Sequence, residues 1–148
     1  RSQLRMSRVF GVWGSNTGVG KSLVSAGVMA AAVRRARQSL YLKPVQTGFP
    51  QDADGALVAR TAASGNSGAA PHSLGRHAAR AAGVKPSASA PADAPLVCHT
   101  LFAWNAAIGP HLAAAREGRA VADGELVRAT SEVLWANERR FTLVETAG

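Results

Sequence analysis

The chain has 148 residues, a length that suits one domain able to bury about two-thirds of its unfolded surface. Hydrophobic residues make up 47%, but 31 of them are alanine, so the core must be small and drawn from a few dense segments; no run of ~18 apolar residues occurs, hence no membrane span is expected. A single cysteine, Cys98, excludes an intrachain disulfide framework and a multi-cysteine zinc or iron–sulfur site, and the formal charge of +8 arises entirely in residues 1–51, which carry eight Lys/Arg and no acid.

Residues 1–8 (Arg1, Ser2, Arg5, Ser7 and Arg8, no acid) form a basic tail that resembles the end of an organelle transit peptide. Residues 8–13 (RVFGVW) read as a strand, residues 14–20 as a glycine-punctuated loop, and residues 21 to about 37 as a helix. Leu23, Val24, Gly27, Val28 and Ala31 share one face of that helix. Arg34, Arg35 and Arg37 suit the negative pole of its dipole, worth ~0.3–1 kcal/mol each. That structural reason ranks ahead of nucleic-acid contact, and no nucleic-acid partner is expected.

Residues 39–43 (SLYLK) form a second strand closed by Pro44, followed by a loop and a short helix over residues 54–63. Residues 64–95 are mostly Ala, Ser, Gly and Pro. This low-complexity insertion is expected to be poorly ordered, because it has too few large apolar groups to offset the entropy of fixing it. His72 and His77 lie within it and are expected to be solvated. Order resumes with a strand at residues 96–104. Residues 106–116 are helical, interrupted or started at Gly109-Pro110, and a helix follows from about 123 to 138. Residues 141–144 (FTLV) form a last strand ending at Glu145. Strands alternating with helices imply an α/β fold with a parallel sheet flanked by helices. The chain begins without Met and stops in mid-pattern. It is therefore expected to be a partial domain over residues 9–148, lacking its C-terminal side.

The most informative stretch is Gly14-Ser15-Asn16-Thr17-Gly18-Val19-Gly20-Lys21-Ser22, which follows a strand and opens a helix. Glycines let successive backbone N–H groups turn inward around phosphate oxygens. The helix N-terminus adds unpaired donors and a positive dipole end. Lys21 supplies a charge for the outer phosphates, and Ser22 a hydroxyl for Mg²⁺. The common pattern has its first glycine one residue later, where Ser15 stands. The loop is either slightly longer or uses Ser15 in place of glycine. The competing reading is a structural glycine turn before a helix.

Glu145 ends an apolar strand, and in an open parallel sheet ligands sit outside the carboxyl ends of strands. A carboxylate there can face the Mg²⁺ of a neighbouring phosphate loop. Lys43 closes a strand at the same edge and can stabilise charge developing in a transition state. Asp52 and Asp54 follow, and one of them could complete the Mg²⁺ shell. The four histidines show no metal-ligand spacing. Cys98 is expected to be a small buried residue, and Trp13, Trp104 and Trp135 to be core or interface.

These residues together resemble the dethiobiotin synthetase family: the loop Ser15–Ser22, then Leu42-Lys43-Pro44-Val45-Gln46-Thr47-Gly48, Asp54, Gly109-Pro110-His111, and Val144-Glu145-Thr146-Ala147-Gly148. The stretches 43–50 and 100–104 are most similar to the synthetase part of the plant-type bifunctional enzyme, which is fused to an aminotransferase. The resemblance implies a P-loop NTPase-like fold and an ATP- and Mg²⁺-dependent reaction of 7,8-diaminopelargonic acid with CO₂. It passes through a carbamate and a carbamic–phosphoric anhydride to dethiobiotin. It implies that Lys21, Lys43, Thr17 and Thr47 act on the carbamate and the transferred phosphoryl group. It implies that Asn16, Thr17, Gly18, Val19, Gly20, Lys21 and Ser22 bind nucleotide, and that Ser22, Asp54 and Glu145 hold Mg²⁺. The helix near His111 would help bind the diamine's carboxylate tail across a homodimer interface. A mitochondrial address is implied for a plant or algal form, a cytoplasmic one otherwise. Asn16 and Gly18 depart from the acids that many bacterial members carry at those places. The rival is a switch-type ATPase of the partition or septum-positioning kind. Its fingerprint needs a lysine five positions before Lys21, where this chain has Asn16.

Overall fold

The computed structural model describes residues 8–16, 18–35, 37–63, 72–85, 91, 93–137, 139 and 141–147. Strands β1 (Arg8–Val12), β2 (Ser39–Gln46), β3 (His72–Leu74), β4 (Leu96–Ala103) and β5 (Phe141–Glu145) pair in parallel in the order β1-β5-β2-β4-β3. Between them run α1 (Lys21–Arg34), α2 (Asp54–Ala63), α3 (Arg76–Ala82), α4 (Pro110–Arg116) and α5 (Asp123–Trp135). This is the expected α/β architecture, because parallel neighbours require crossover connections. No helix among the described residues is long and apolar enough to cross a membrane. Pro110 stands at the first position of α4 after Gly109, where a missing N–H costs nothing, so the helix starts there rather than at residue 106.

Side chains alternate across the sheet and divide the core in two. Tyr41, Leu96, Cys98 and Leu143 pack with Met29 and Val33 of α1 and Val58 and Ala62 of α2. Leu40, Leu42, Val97 and Val144 belong to the other face, with Ala113 of α4 and Leu126, Val133 and Leu134 of α5. Burial pushes the Cys98 thiol up to about 12, which leaves it the inert core residue expected.

Four features differ from the sequence reading. The α1 helix buries Ser25, Ala26, Met29, Ala30, Ala32 and Val33, while Leu23 is 72% exposed and Val24 and Val28 also face outward. Small and apolar residues surround most of this helix, so periodicity does not choose its inner face; the bond from Ser25 to buried Glu145 and the packing of Met29 and Val33 on the sheet do. β2 does not stop at Pro44 but continues to Gln46. Beyond Leu42 only β4 pairs with it, so a residue lacking an N–H forfeits no bond toward β5.

Residues 72–85, inside the stretch expected to lack order, hold β3 and α3. Their small side chains, which argued against a core, permit close docking. Ala78 and Ala79 are fully buried, Ala78 packs with Phe49 and Ala103, and a Cβ on Gly75 would lie 2.8 Å from the Leu101 carbonyl oxygen. Residues 64–71 and 86–90 lie outside the described set. His72 and His77 are not solvated. His72 Nε2 lies 3.0 Å from Thr100 Oγ1, and His77 packs on Phe102 and Trp104 while its Nδ1 accepts the Ala103 N–H. Of the three tryptophans, Trp104 is in the core, whereas Trp13 and Trp135 are exposed on this chain.

Candidate functional site

The sheet order sets β5 beside β1, and their register pairs Val12 with Glu145. The residue that ends β5 therefore stands next to the strand that leads into the glycine loop. Period-two alternation does the rest. Tyr41, Lys43, Leu143 and Glu145 share the sheet face that α1 covers, and Leu42 pairs with Val144, which brings Lys43 level with Glu145.

Within the loop, Gly18 (φ +80°) and Gly20 (φ +91°) take the left-handed conformation. Gly20 is the residue before α1, and no side chain caps the helix, so its first N–H groups are available to an anion. A Cβ on Gly14 would lie 2.9 Å from Val19 Cγ2 and 3.3 Å from Lys21 Cδ. Both are side-chain atoms, so glycine here, one position earlier than in the common pattern, leaves room for the Val19 and Lys21 side chains. Lys21 Nζ donates to the Asn16 carbonyl oxygen at 2.7 Å, folding the lysine over the loop. Thr17 lies outside the described residues. Because nothing within 4 Å opposes a Cβ on Gly20, Gly20→Ala isolates the conformational cost. It is expected to lower stability by about 1–2 kcal/mol in urea unfolding; a change within error of zero would mean the loop relaxes out of this conformation.

Glu145 is fully buried and accepts four hydrogen bonds: from Ser22 Oγ (2.8 Å), Lys43 Nζ (2.8 Å), Ser25 Oγ (2.6 Å) and Tyr41 Oη (3.0 Å). Burial works against its charge, but the Lys43 ammonium and the bonds from Lys43, Ser25 and Ser22 outweigh that, and its pKa is lowered. Tyr41 moves the other way, held protonated by burial and then by the Glu145 charge. Lys43 also pairs with Asp54 Oδ2 at 2.8 Å and donates to the Thr146 carbonyl oxygen at 3.2 Å.

A cavity of about 430 Å³ opens over this cluster. Gly18, Gly20, Lys21, Ser22, Lys43, Thr47, Asp54 and Glu145 all reach it, with Leu23, Val45 and Ile108 as apolar wall. Asn16 and Val19 belong to the loop but not to the wall. Gln46 pins the segment carrying Thr47 and Asp54: its Nε2 donates to the carbonyls of Thr47 and Asp52, and its Oε1 accepts the Asp54 N–H. Sequence reasoning missed Ser25, Tyr41 and Gln46 as site residues. A signal existed for two of them, since Ser25 is one helical turn after Ser22 and Tyr41 two strand positions before Lys43.

Ser22, Asp54 and Glu145 supply one hydroxyl and two carboxylates. Among the described residues no group of three or more His, Cys, Asp or Glu could hold a metal. A hard, sparse oxygen set suits Mg²⁺, which keeps several waters and takes phosphate oxygens for the rest.

Comparison with known proteins bears on the family of the chain. The family described as AAA domain matches residues 8–94. The bifunctional dethiobiotin synthetase/7,8-diamino-pelargonic acid aminotransferase, mitochondrial, of Oryza sativa subsp. japonica is 36% identical over 145 residues, covering 81% of this chain and 18% of that protein. Its namesake in Arabidopsis thaliana is 35% identical over 83% of this chain and 18% of that protein. The ATP-dependent dethiobiotin synthetase of Chromohalobacter salexigens is 34% identical over 93% of this chain and 48% of that protein. The chain thus spans under a fifth of the plant relatives and about half of the bacterial one. The resemblance read from the motifs is matched by relatives of that name, and the family match runs unbroken through β1, the glycine loop, α1, β2 and α2: the chain belongs to the AAA-domain family, with dethiobiotin synthetases among its relatives.

Proposed function

We propose that this chain carries the nucleotide and reaction site of an ATP- and Mg²⁺-dependent dethiobiotin synthetase acting on 7,8-diaminopelargonic acid and CO₂. The observation that supports it most is the meeting of Ser22, Lys43 and Glu145 from three separate elements at the mouth of the glycine loop. The α1 N-terminus and Lys21 bind the β- and γ-phosphates of ATP. Ser22, Asp54 and Glu145 hold Mg²⁺, which when bound draws charge from the phosphate oxygens. One substrate amine adds to the carbon of CO₂ and loses a proton, giving a carbamate. A carbamate oxygen bonds to the γ-phosphorus as the bond to ADP breaks. The second amine then attacks the carbamoyl carbon, loses its proton and expels phosphate, closing the ring. Lys43 faces the charge that moves through these steps, and Thr17 and Thr47 orient the carbamate or phosphate. Phosphoryl transfer rests on positioning and charge neutralisation, so two lysines and a metal suffice without a strong base.

A homodimer that completes the diamine site near His111, a fused aminotransferase, and domain limits at residues 9–148 belong to the same proposal. A mitochondrial address draws on the names of the plant relatives and the basic residues 1–8. The switch-ATPase reading is weaker, since uncharged Asn16 stands where that group needs its lysine. The test is to incubate the intact protein with ATP, Mg²⁺, bicarbonate and 7,8-diaminopelargonic acid and to follow products by mass. Dethiobiotin, ADP and phosphate in equal amounts are expected. ATP hydrolysis without dethiobiotin would instead favour the switch ATPase.

A further inference from the structure

The two oxygens of the Glu145 carboxylate serve different neighbours. Oε1 accepts from Ser22 and Lys43, both of which line the cavity. Oε2 accepts from Ser25 Oγ at 2.6 Å and Tyr41 Oη at 3.0 Å. Ser25 and Tyr41 are fully buried, and neither belongs to the cavity wall. A terminal carboxylate torsion is soft and roughly two-fold, so without such partners the group would turn freely about its last bond. Two hydroxyl donors from different elements, α1 and β2, converge on one oxygen and fix the plane. Oε1 likewise accepts two bonds, but its donors have other places to turn, since Lys43 also pairs with Asp54 and Ser22 faces the cavity, whereas Ser25 and Tyr41 face no cavity.

We propose that Ser25 and Tyr41 are positioning residues that commit Glu145 to present a single oxygen, Oε1, to a divalent cation, and that they thereby bias the site toward Mg²⁺ over Ca²⁺. This rests on the reading of Glu145 as a metal ligand. The chemistry is general. Mg²⁺ demands compact octahedral geometry at about 2.0–2.1 Å, whereas Ca²⁺ is larger and readily takes both oxygens of one carboxylate. An oxygen whose two donors do not reach the cavity stays committed to them when a cation enters, so it is withdrawn from bidentate coordination, which penalises the larger ion. Freed from one or both donors, the carboxylate can turn and chelate.

The test measures binding of Mg²⁺ and Ca²⁺ to the intact protein in the presence of a non-hydrolysable ATP analogue, by calorimetry and by competition against Mn²⁺ followed by its paramagnetic resonance. Tyr41→Phe keeps the ring and removes only the hydroxyl; Ser25→Ala is the second, smaller change, so the question survives if one variant folds poorly by circular dichroism. Each is expected to lower the Mg²⁺-to-Ca²⁺ affinity ratio by about tenfold, in line with losing one hydrogen bond to a charged group. General weakening of the fold would lower both affinities alike. Folded variants with the wild-type ratio overturn the inference while leaving the synthetase reading intact. A wild-type protein that binds neither cation overturns it together with the metal role of Glu145. Dethiobiotin formation is scored separately, so the failure of one reading is distinguishable from the failure of the other.

Discussion

Lys21→Ala is expected to weaken ATP binding by about tenfold to a hundredfold, the worth of one or two charge-assisted hydrogen bonds, and to abolish turnover. The reasoning starts from where Lys21 sits. It is the first residue of α1, it is buried, and its ammonium is tethered to the Asn16 carbonyl across the loop. A group so placed adds a fixed positive charge to a concavity of backbone donors, and it is most valuable when negative charge shifts between phosphate oxygens in the transition state. Lys21→Arg should not restore activity, because a planar fork does not reproduce the compact ammonium that reaches the Asn16 carbonyl oxygen across the loop. Binding is read by calorimetry, turnover by phosphate release, and folding by circular dichroism. A folded Lys21→Ala protein with wild-type turnover would remove the loop from the chemistry.

Much of this arrangement is legible in the residues themselves. The loop is visible because glycine spacing, a following lysine and a serine obey backbone geometry that few other functions need. The site acid is visible because Glu145 ends an apolar segment, and strand ends on a parallel sheet face ligands. Period two even predicts that Lys43 and Tyr41 share a face. What periodicity could not supply was the partner: the sheet order β1-β5-β2 is a tertiary fact, and it alone brings Glu145 beside the loop. The inner face of α1 was misread for a related reason. Leu23 and Val28 carry more hydrophobicity than Ser25 and Ala26, yet Ser25 turns inward because it has a buried carboxylate to satisfy. The β3–α3 segment departs from the expectation because alanine and glycine weigh little in any hydrophobic sum, although they let Ala78 and Gly75 approach β4 closely.

Lys43→Ala is expected to have the largest effect on the fold as well as on the reaction. Lys43 is buried between two acids, one of them fully enclosed. Removing one partner of a buried ion pair leaves an uncompensated charge, typically at a cost of ~3–5 kcal/mol. Glu145 can escape part of that cost by taking up a proton, which fixes the sign of the pH dependence. In the native protein the carboxyl's pKa is lowered, despite burial, by Lys43 and by the hydroxyl donors. Its stabilising contribution is therefore present above the ordinary carboxylate range and is lost as pH falls through the lowered value. Without Lys43, burial governs and the pKa rises, so the variant loses less on acidification. The stability gap between the two proteins should be widest near about pH 7 and narrow toward about pH 4 in urea unfolding. Mg²⁺ with ATP should narrow it at neutral pH as well, since a cation among Ser22, Asp54 and Glu145 replaces the missing charge. Turnover should fall far more than ATP affinity, because the phosphates are gripped by the loop and Lys21 while Lys43 faces the transferred group. A gap independent of pH would refute the charge argument, and equal losses of binding and turnover would make Lys43 a structural lysine only.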